Sequence, residues 1–367
     1  MTRPALTTGL LAVAFAVAVP ASAQFMAADL FYLPVSAHSD GENDSRWRSN
    51  LYITNVADTD VDVALAYLPT GGNTNASVFL DRSTWLGGTE DDGFGFVDEA
   101  LANIPPRGTV VLTDPIGEYW VPELGVPGTG AIVLFAYESG TLEDDSTRVN
   151  KNVILTSRIY NKTTIWVPDE DNEGEFIEEN ATYGQTMPGV PWYALVNSSA
   201  AGEEGDFTFQ ILGGGRQNNR FRYNLGIVNA SDPQTTITLN LQPFQGDGEP
   251  FLDTSGNQIV RQVLLLPAAQ VQYANVLDTL FGLGKTQLDV TVRVTFTGWT
   301  SSGSSPMPRF ACYGSYIDNR SNDPTTILPS FAFPIDTDLL WGTDGGGGAK
   351  SRVSAERIRR PVELPPR

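Results

Sequence analysis

A thirteen-residue segment occurs twice in this chain, and that repetition constrains the fold more than any local signal. Arg46-Trp-Arg-Ser-Asn50-Leu-Tyr-Ile-Thr-Asn55-Val-Ala-Asp58 returns 174 residues later as Arg220-Phe-Arg-Tyr-Asn224-Leu-Gly-Ile-Val-Asn229-Ala-Ser-Asp232. Seven of the thirteen positions are identical, and the residue between the arginines is aromatic both times. Repetition at this scale marks a structural unit used more than once.

The halves agree further on. Ile104-Pro105-Pro-Arg-Gly-Thr-Val-Val-Leu112 parallels Leu266-Pro267-Ala-Ala-Gln-Val-Gln-Tyr273, and Val153 to Asn161 parallels Ala311 to Asn319. The offset falls from 174 to 162 to 158, so the first half carries the longer loops, with Asp169 to Glu179 read as one insertion. Fixed strands with variable connections are what loop tolerance predicts.

Segments 50–55, 61–68, 109–113, 131–136, 152–160, 207–212, 223–228, 235–242, 259–266, 270–274 and 288–297 are rich in Val, Ile, Thr, Tyr and Phe, mostly between Gly, Pro, Asn or Asp. Those are strand signals. Long helical periodicity is absent, and only short turns around Pro115 to Tyr119 and Asn275 to Phe281 read as helical. The expected fold is all-β: two tandem immunoglobulin-like antiparallel β-sandwich domains with one short helical turn each. Their expected bounds are 24–192 and 193–334, with a connector around Asn197 to Gly205. A flexible Gly-rich and basic tail fills 335–367.

Residues 1–23 read as a signal peptide. Arg3 supplies a positive start, Leu10 to Val19 a short apolar run, and Ala21-Ser-Ala23 an A-x-A cleavage site. The run is shorter than the roughly 20 residues a membrane span needs, so no transmembrane span is expected in the mature chain. The expected location is the periplasm, the cell surface or the extracellular space. Cys312 is the only cysteine, so stability must come from packing and not from intrachain disulfides.

The net charge of −20 disfavours nucleic acid and anionic lipid as partners. The tail runs against it: Lys350, Arg352, Arg357, Arg359, Arg360 and Arg367 face only Glu356 and Glu363. His38 is the only histidine, which excludes a two-histidine metal site, and no G-x-S-x-G elbow or P-loop is present. The chain is therefore read as non-catalytic, with no required cofactor.

Strand alternation places Trp47, Leu51 and Ile53 on one face and Arg46, Arg48 and Asn50 on the other. The second copy sets Phe221, Leu225 and Ile227 against Arg220, Arg222 and Asn224. The economical reading is a core aromatic backed by arginines paired to acidic neighbours. The sharper one is a surface that grips carboxylates or acidic sugars through its guanidinium groups. Asn55 and Asn229 end their strands and read as turn residues. Trp85, Trp120, Trp166, Trp192, Trp299 and Trp341 sit in or beside polar loops. Anchoring of these loops to the core is the economical reading, and Trp85 and Trp120 in particular are the candidates for a ligand surface. Asp169, Asp171 and Glu173 stand at positions one, three and five of a calcium-type loop with Gly174 at six. Glu at five, Asn180 at twelve and the absence of flanking helices depart from that pattern, so a solvated acidic insert is the competing reading.

Pro34-Val-Ser-Ala-His38, Trp47-Arg-Ser-Asn-Leu51, Pro105-Pro-Arg-Gly108, Thr156-Ser-Arg-Ile-Tyr-Asn161 and Tyr183-Gly-Gln185 together resemble a tandem β-sandwich repeat of uncharacterised secreted bacterial proteins. A fainter, fold-level similarity is to the β-sandwich of sensory rhodopsin transducers. The resemblance does not imply catalysis, and the expected function is that of an exported structural or interaction module that binds a protein partner or itself. The alternative is a carbohydrate-binding or adhesion module that takes up polysaccharide.

Overall fold

The computed structural model describes residues 26–41, 45–71, 75–141, 148–168, 176–197, 209–284, 286–304 and 306–331. The leader, the calcium candidates Asp169, Asp171 and Glu173, most of the connector and the tail lie outside them. The chain is all-β, with antiparallel sheets and few helices. The first half contributes β1 (Leu30–Ala37), β2 (Arg46–Asn55), β3 (Val61–Pro69), β4 (Thr109–Thr113), β5 (Thr129–Glu138), β6 (Val153–Pro168), β7 (Phe176–Pro188) and β8 (Val190–Pro191). The second contributes β9 (Phe209–Gln217), β10 (Phe221–Asn229), β11 (Thr235–Phe244), β12 (Arg261–Leu265), β13 (Gln270–Tyr273), β14 (Gln287–Ser301), β15 (Arg309–Asp318), β16 (Pro324–Ile327) and β17 (Ser330–Phe331). Short helices follow at Ile116–Trp120, Val121–Leu124 and Val276–Thr279, and a further one at Asn75–Leu80 gave no sequence signal.

The strand order repeats. Sheet I runs β7-β6-β2-β4, and its counterpart, sheet III, runs β16-β15-β10-β13. Sheet II contains β8-β1-β5-β3, matched in sheet IV by β17-β9-β14-β11. Sheets I and II pack face to face through Trp47, Leu51, Ile53, Leu155 and Ile159 on one side and Phe31, Leu33, Val63, Leu65 and Leu134 on the other. Sheets III and IV do the same through Leu225, Ile227 and Cys312 against Leu239, Leu241, Val292 and Val294.

A third core joins the halves. Leu30, Tyr32, Ala64, Ala66, Leu68, Ala131, Val133 and Phe135 form the outer face of sheet II, and they are buried with Val228, Ala230, Ala268 and Ala311 of sheet III. Strands β1 and β3 are consequently buried at every position, and β5 at all but its ends. That explains why β1 escapes sequence analysis: two buried faces erase alternation, and Pro34 reads as a breaker. A register shift between Leu33 and Ser36 accommodates the proline. Strand β7 was also hidden. Its first residue, Phe176, pairs with Pro168, so residues 176–179 of the expected insertion belong to a strand, and 169–175 lie outside the described residues.

The repeated asparagines fasten each half. Asn55 is fully buried, and its Nδ2 donates to the carbonyls of Thr59 and Ile104, both at 2.8 Å, while Oδ1 accepts from the Ala57 N–H. Asn229, equally buried, donates to Thr235 (2.9 Å) and Leu266 (2.8 Å) and accepts from the Ser231 N–H. The carbonyls they reach adjoin the two Pro-containing turns. Those turns close by Gly108 N–H to Pro105 O and Ala269 N–H to Leu266 O, with Arg107 and Ala268 at positive φ. Pro106 therefore matches Pro267, which corrects the offset there from 162 to 161. Each side chain joins a strand end, its following turn and the approach to the next strand, the turn role its sequence position predicts.

Removing a donor strands buried carbonyls at about 1–3 kcal/mol each. Asn229→Ala should therefore lower stability by about 2–4 kcal/mol in urea unfolding, and Asn229→Asp by no less, since its carboxylate would face carbonyl oxygens. A loss under about 1 kcal/mol would show that the clasp is dispensable.

Candidate functional site

The two copies of the Arg-aromatic-Arg strand meet opposite fates. In β2 the alternation holds: Trp47, Leu51 and Ile53 are core, while Arg46 is exposed and Arg48 and Asn50 are half-buried on the outer face of sheet I. Pairing adds β6, which the sequence could not place beside them. Arg46 stands opposite Lys162, Arg48 opposite Tyr160 and Asn50 opposite Arg158. Thr182 and Thr186 of β7 extend the same rows. The face therefore gathers Arg46, Arg48, Arg158 and Lys162 with Tyr52, Val111 and several threonines.

Two of these cations are tethered. Arg48 Nε lies 3.4 Å from Asp114 Oδ2 and its Nη2 3.7 Å from Asp40, while Nη1 donates to the Trp47 carbonyl at 2.7 Å. Arg158 lies over the Tyr160 ring and donates to Thr182 Oγ1, and the Tyr160 hydroxyl reaches Asn50 Oδ1 at 3.2 Å. Burial pushes the Tyr160 phenol above its usual range, so it remains a neutral donor. His38 Nδ1 meets Asp114 Oδ2 at 2.8 Å, which places the lone histidine in the network that braces Arg48. Arg46 and Lys162 form no ion pair among the described residues, although both are exposed.

In β10 the expected exposure fails. Arg222 and Asn224 are buried, at 7% and 6% exposure, because sheet III turns this face toward the first half. Arg222 donates to Asn319 Oδ1 at 2.8 Å, and Asn224 Oδ1 accepts from the Asn275 N–H. Arg220 stays exposed, pairs with Asp318 at 2.8 Å and lies over the Phe221 ring. Phe221 is only half-buried, packing edge-on to Tyr316, and Tyr223 takes the core position instead. Gly226 stands where the first copy has Tyr52, and the Tyr313 ring lies across it. An added Cβ would come within 1.9 Å of Tyr313 Cε1.

The loop tryptophans are corrected as well. Trp85 and Trp120 are fully buried. Trp85 stacks on Phe94 and Phe135 and donates to the Phe79 carbonyl, covering the part of sheet II that the second half leaves open. Trp120 stacks on Tyr67 at 5.2 Å and donates to Thr84 O. Both are anchors in loops that fold over a sheet, a packing role that flanking Gly and Asp conceal. Trp192 belongs to the junction, bonded to Asp29 and lying beneath Arg309. Trp299 alone among the described tryptophan side chains is exposed, and those of Trp166 and Trp341 lie outside that set. Cys312 is buried and donates to Gln210 Oε1, and burial pushes its thiol well above the usual value, so it is an inert packing residue. No group of three metal-ligating side chains occurs among the described residues. No helix there is long and apolar enough to cross a membrane.

Comparison with family models, with curated proteins and with solved structures finds no match to this chain.

Trp120→Ala should cost about 3–5 kcal/mol of stability, as emptying a buried indole site does, and a melting curve close to that of the unsubstituted protein would return this ring to the surface.

Proposed function

We propose that this chain is an exported, non-catalytic interaction protein built from two immunoglobulin-like sandwiches. Its first sandwich presents the outer face of sheet I to an acidic protein partner. The observation that carries this reading is Arg46 standing directly opposite Lys162, with Arg158 two rows away, on an exposed face of a chain with net charge −20. Like charges directly opposite across a strand pair destabilise a sheet. A surface that holds them carries a cost that a bound acidic partner would offset through charge-assisted hydrogen bonds.

The leader-like start and the single cysteine support export into a setting where packing alone must suffice. The acidic body of a second copy is one surface of suitable charge. The alternative, a carbohydrate-binding or adhesion module, loses Trp85 and Trp120 as stacking platforms and keeps the first-copy arginines as its support.

Lys162→Glu separates function from folding. Opposite Arg46 it should raise stability by about 0.2–1 kcal/mol, yet weaken partner binding by about tenfold or more, since each tenfold is only 1.4 kcal/mol. Crosslinking on native cells, followed by pull-down with both forms, reads the second effect. An acidic protein or a ladder of this chain, recovered at low salt and lost in the variant, supports the proposal. Equal recovery by both forms would end it, and recovery of polysaccharide in place of protein would put the alternative first.

A further inference from the structure

The second half holds a polar pocket of about 500 Å³ that its sequence did not single out. Gln217 at the end of β9, Asn218 and Asn219 of the β9–β10 turn, and Asn275, Asp278 and Thr279 at the short helix line it. No arginine or lysine stands in its wall. The neighbouring Arg220 is paired with Asp318 at 2.8 Å.

The two copies together show how the pocket arises. Strands β1 and β9 carry the same irregularity, between Leu33 and Ser36 and between Leu212 and Gly215, which by count sets Gln217 in the place of His38. Asn275 corresponds to Asp114, both at positive φ ahead of a short helix, and Asp278 stands where the first copy has Gly117. In the first copy these places close on themselves. His38 Nδ1 meets Asp114 Oδ2 at 2.8 Å and lies so near Gly117 that an added Cβ would come within 1.9 Å of it. In the second copy two amides and a carboxylate take these places, and among the described residues no hydrogen bond joins the three side chains.

The bonds that are made fix what the wall offers. Gln217 is 2% exposed, and its Oε1 accepts from the Leu277 N–H at 3.1 Å. Its Nε2 has no hydrogen-bond partner among the described residues, and the pocket is where that donor opens. Asn218 Oδ1 accepts from the N–H groups of Arg220 and Phe221, so Asn218 also presents its Nδ2. Thr279 Oγ1 gives its proton to the Ala274 carbonyl at 2.8 Å and keeps its lone pairs. Asp278 is half-buried, and its carboxylate has neither an ion pair nor a hydrogen bond among the described residues. The wall therefore sets amide donors beside one charged acceptor.

We propose that this pocket binds a neutral polyhydroxylated ligand, of the chemical class of a hexose unit. A hydroxyl both accepts and donates, so neighbouring hydroxyls accept from Gln217 Nε2 and Asn218 Nδ2 while another donates to Asp278. An anion meets the Asp278 carboxylate with no cation in the wall to offset it. A simple cation satisfies Asp278 but leaves the buried Gln217 donor unpaired, which is costly. The volume falls within the roughly 300–1,000 Å³ of small-molecule sites. The pocket belongs to the second half and is separate from the basic face of sheet I, so neither reading depends on the other.

Titration of the full protein with glucose, galactose and mannose, followed by saturation-transfer NMR, tests this against glucuronate and cyclohexylammonium. At least one of the hexoses should bind about tenfold or more tighter than either charged probe. Asp278→Asn should weaken that hexose by about tenfold, the loss of a charge-assisted contact. The melting temperature should stay near that of the unsubstituted protein, because the carboxylate has no partner in the fold. Gln217→Met, which keeps the bulk and removes the donor, should abolish binding, and Asp278→Asn still decides if that variant does not fold. A short oligosaccharide of the bound hexose that binds equally well would support a site for a chain end. Its rejection beside a bound monosaccharide would support a site for free sugar. Absence of binding by all three hexoses, a charged probe that binds as tightly, or unchanged hexose affinity in Asp278→Asn would overturn the proposal.

Discussion

Burial of the outer face of sheet II against sheet III is the constraint on which the rest of this molecule depends. A sheet with both faces apolar cannot stand at the surface. Leu30, Tyr32 and Val133 share one buried apolar cluster with Val228 and Ala311 of the second half. Each such side chain contributes about 1.5–3 kcal/mol when fully buried, so the junction is a core in its own right and not a loose contact between neighbours. Polar fasteners add direction to it. The Gly71 N–H donates to Gln270 O and the Arg309 guanidinium to Trp192 O, and the Trp192 indole is itself held by Asp29 within the first half.

The duplication shows one strand plan serving two different surroundings. Equivalent strand positions carry different side chains according to where they face. Ala64, Ala66 and Leu68 of β3 become Thr238, Asn240 and Gln242 of β11, which are half-buried on the free face of sheet IV. Conversely, Gly226 and Val228 of β10 replace Tyr52 and Thr54 of β2, whose face is open. The same backbone serves as an inner layer in one copy and an outer layer in the other. Freedom from packing also left the first copy able to keep arginines beside a lysine, an arrangement that folding disfavours and recognition can use.

Much of the architecture was legible because it follows period-two alternation and proline-marked turns, and both survive in β2, β4, β11 and β14. The turn role of Asn55 and Asn229 was visible too, but not the carbonyls of Ile104 and Leu266 that their amides reach. What could not be read depended on three-dimensional neighbours. β1 lost its alternation to the third core. Arg222 and Asn224 repeat Arg48 and Asn50 letter for letter, and nothing local says that one pair is covered and the other is not. Lys162 and Arg158 join the first-copy arginines only through the β2–β6 register. Trp85 and Trp120 lie among loop residues in the chain while their rings lie in the interior, because tryptophan can anchor an irregular segment as firmly as a strand.

Guanidinium-induced unfolding of the whole protein, followed in parallel by tryptophan fluorescence and far-UV circular dichroism, tests the junction most directly. Of the seven tryptophans, Trp47, Trp85, Trp120, Trp166 and Trp192 belong to the first half, so fluorescence reports mainly on that half and dichroism on both. If the third core binds the halves into one unit, the two transitions coincide with a single midpoint. Two separated transitions, with fluorescence leaving dichroism behind, would show that the halves stand independently and that the buried face of sheet II does not govern the fold.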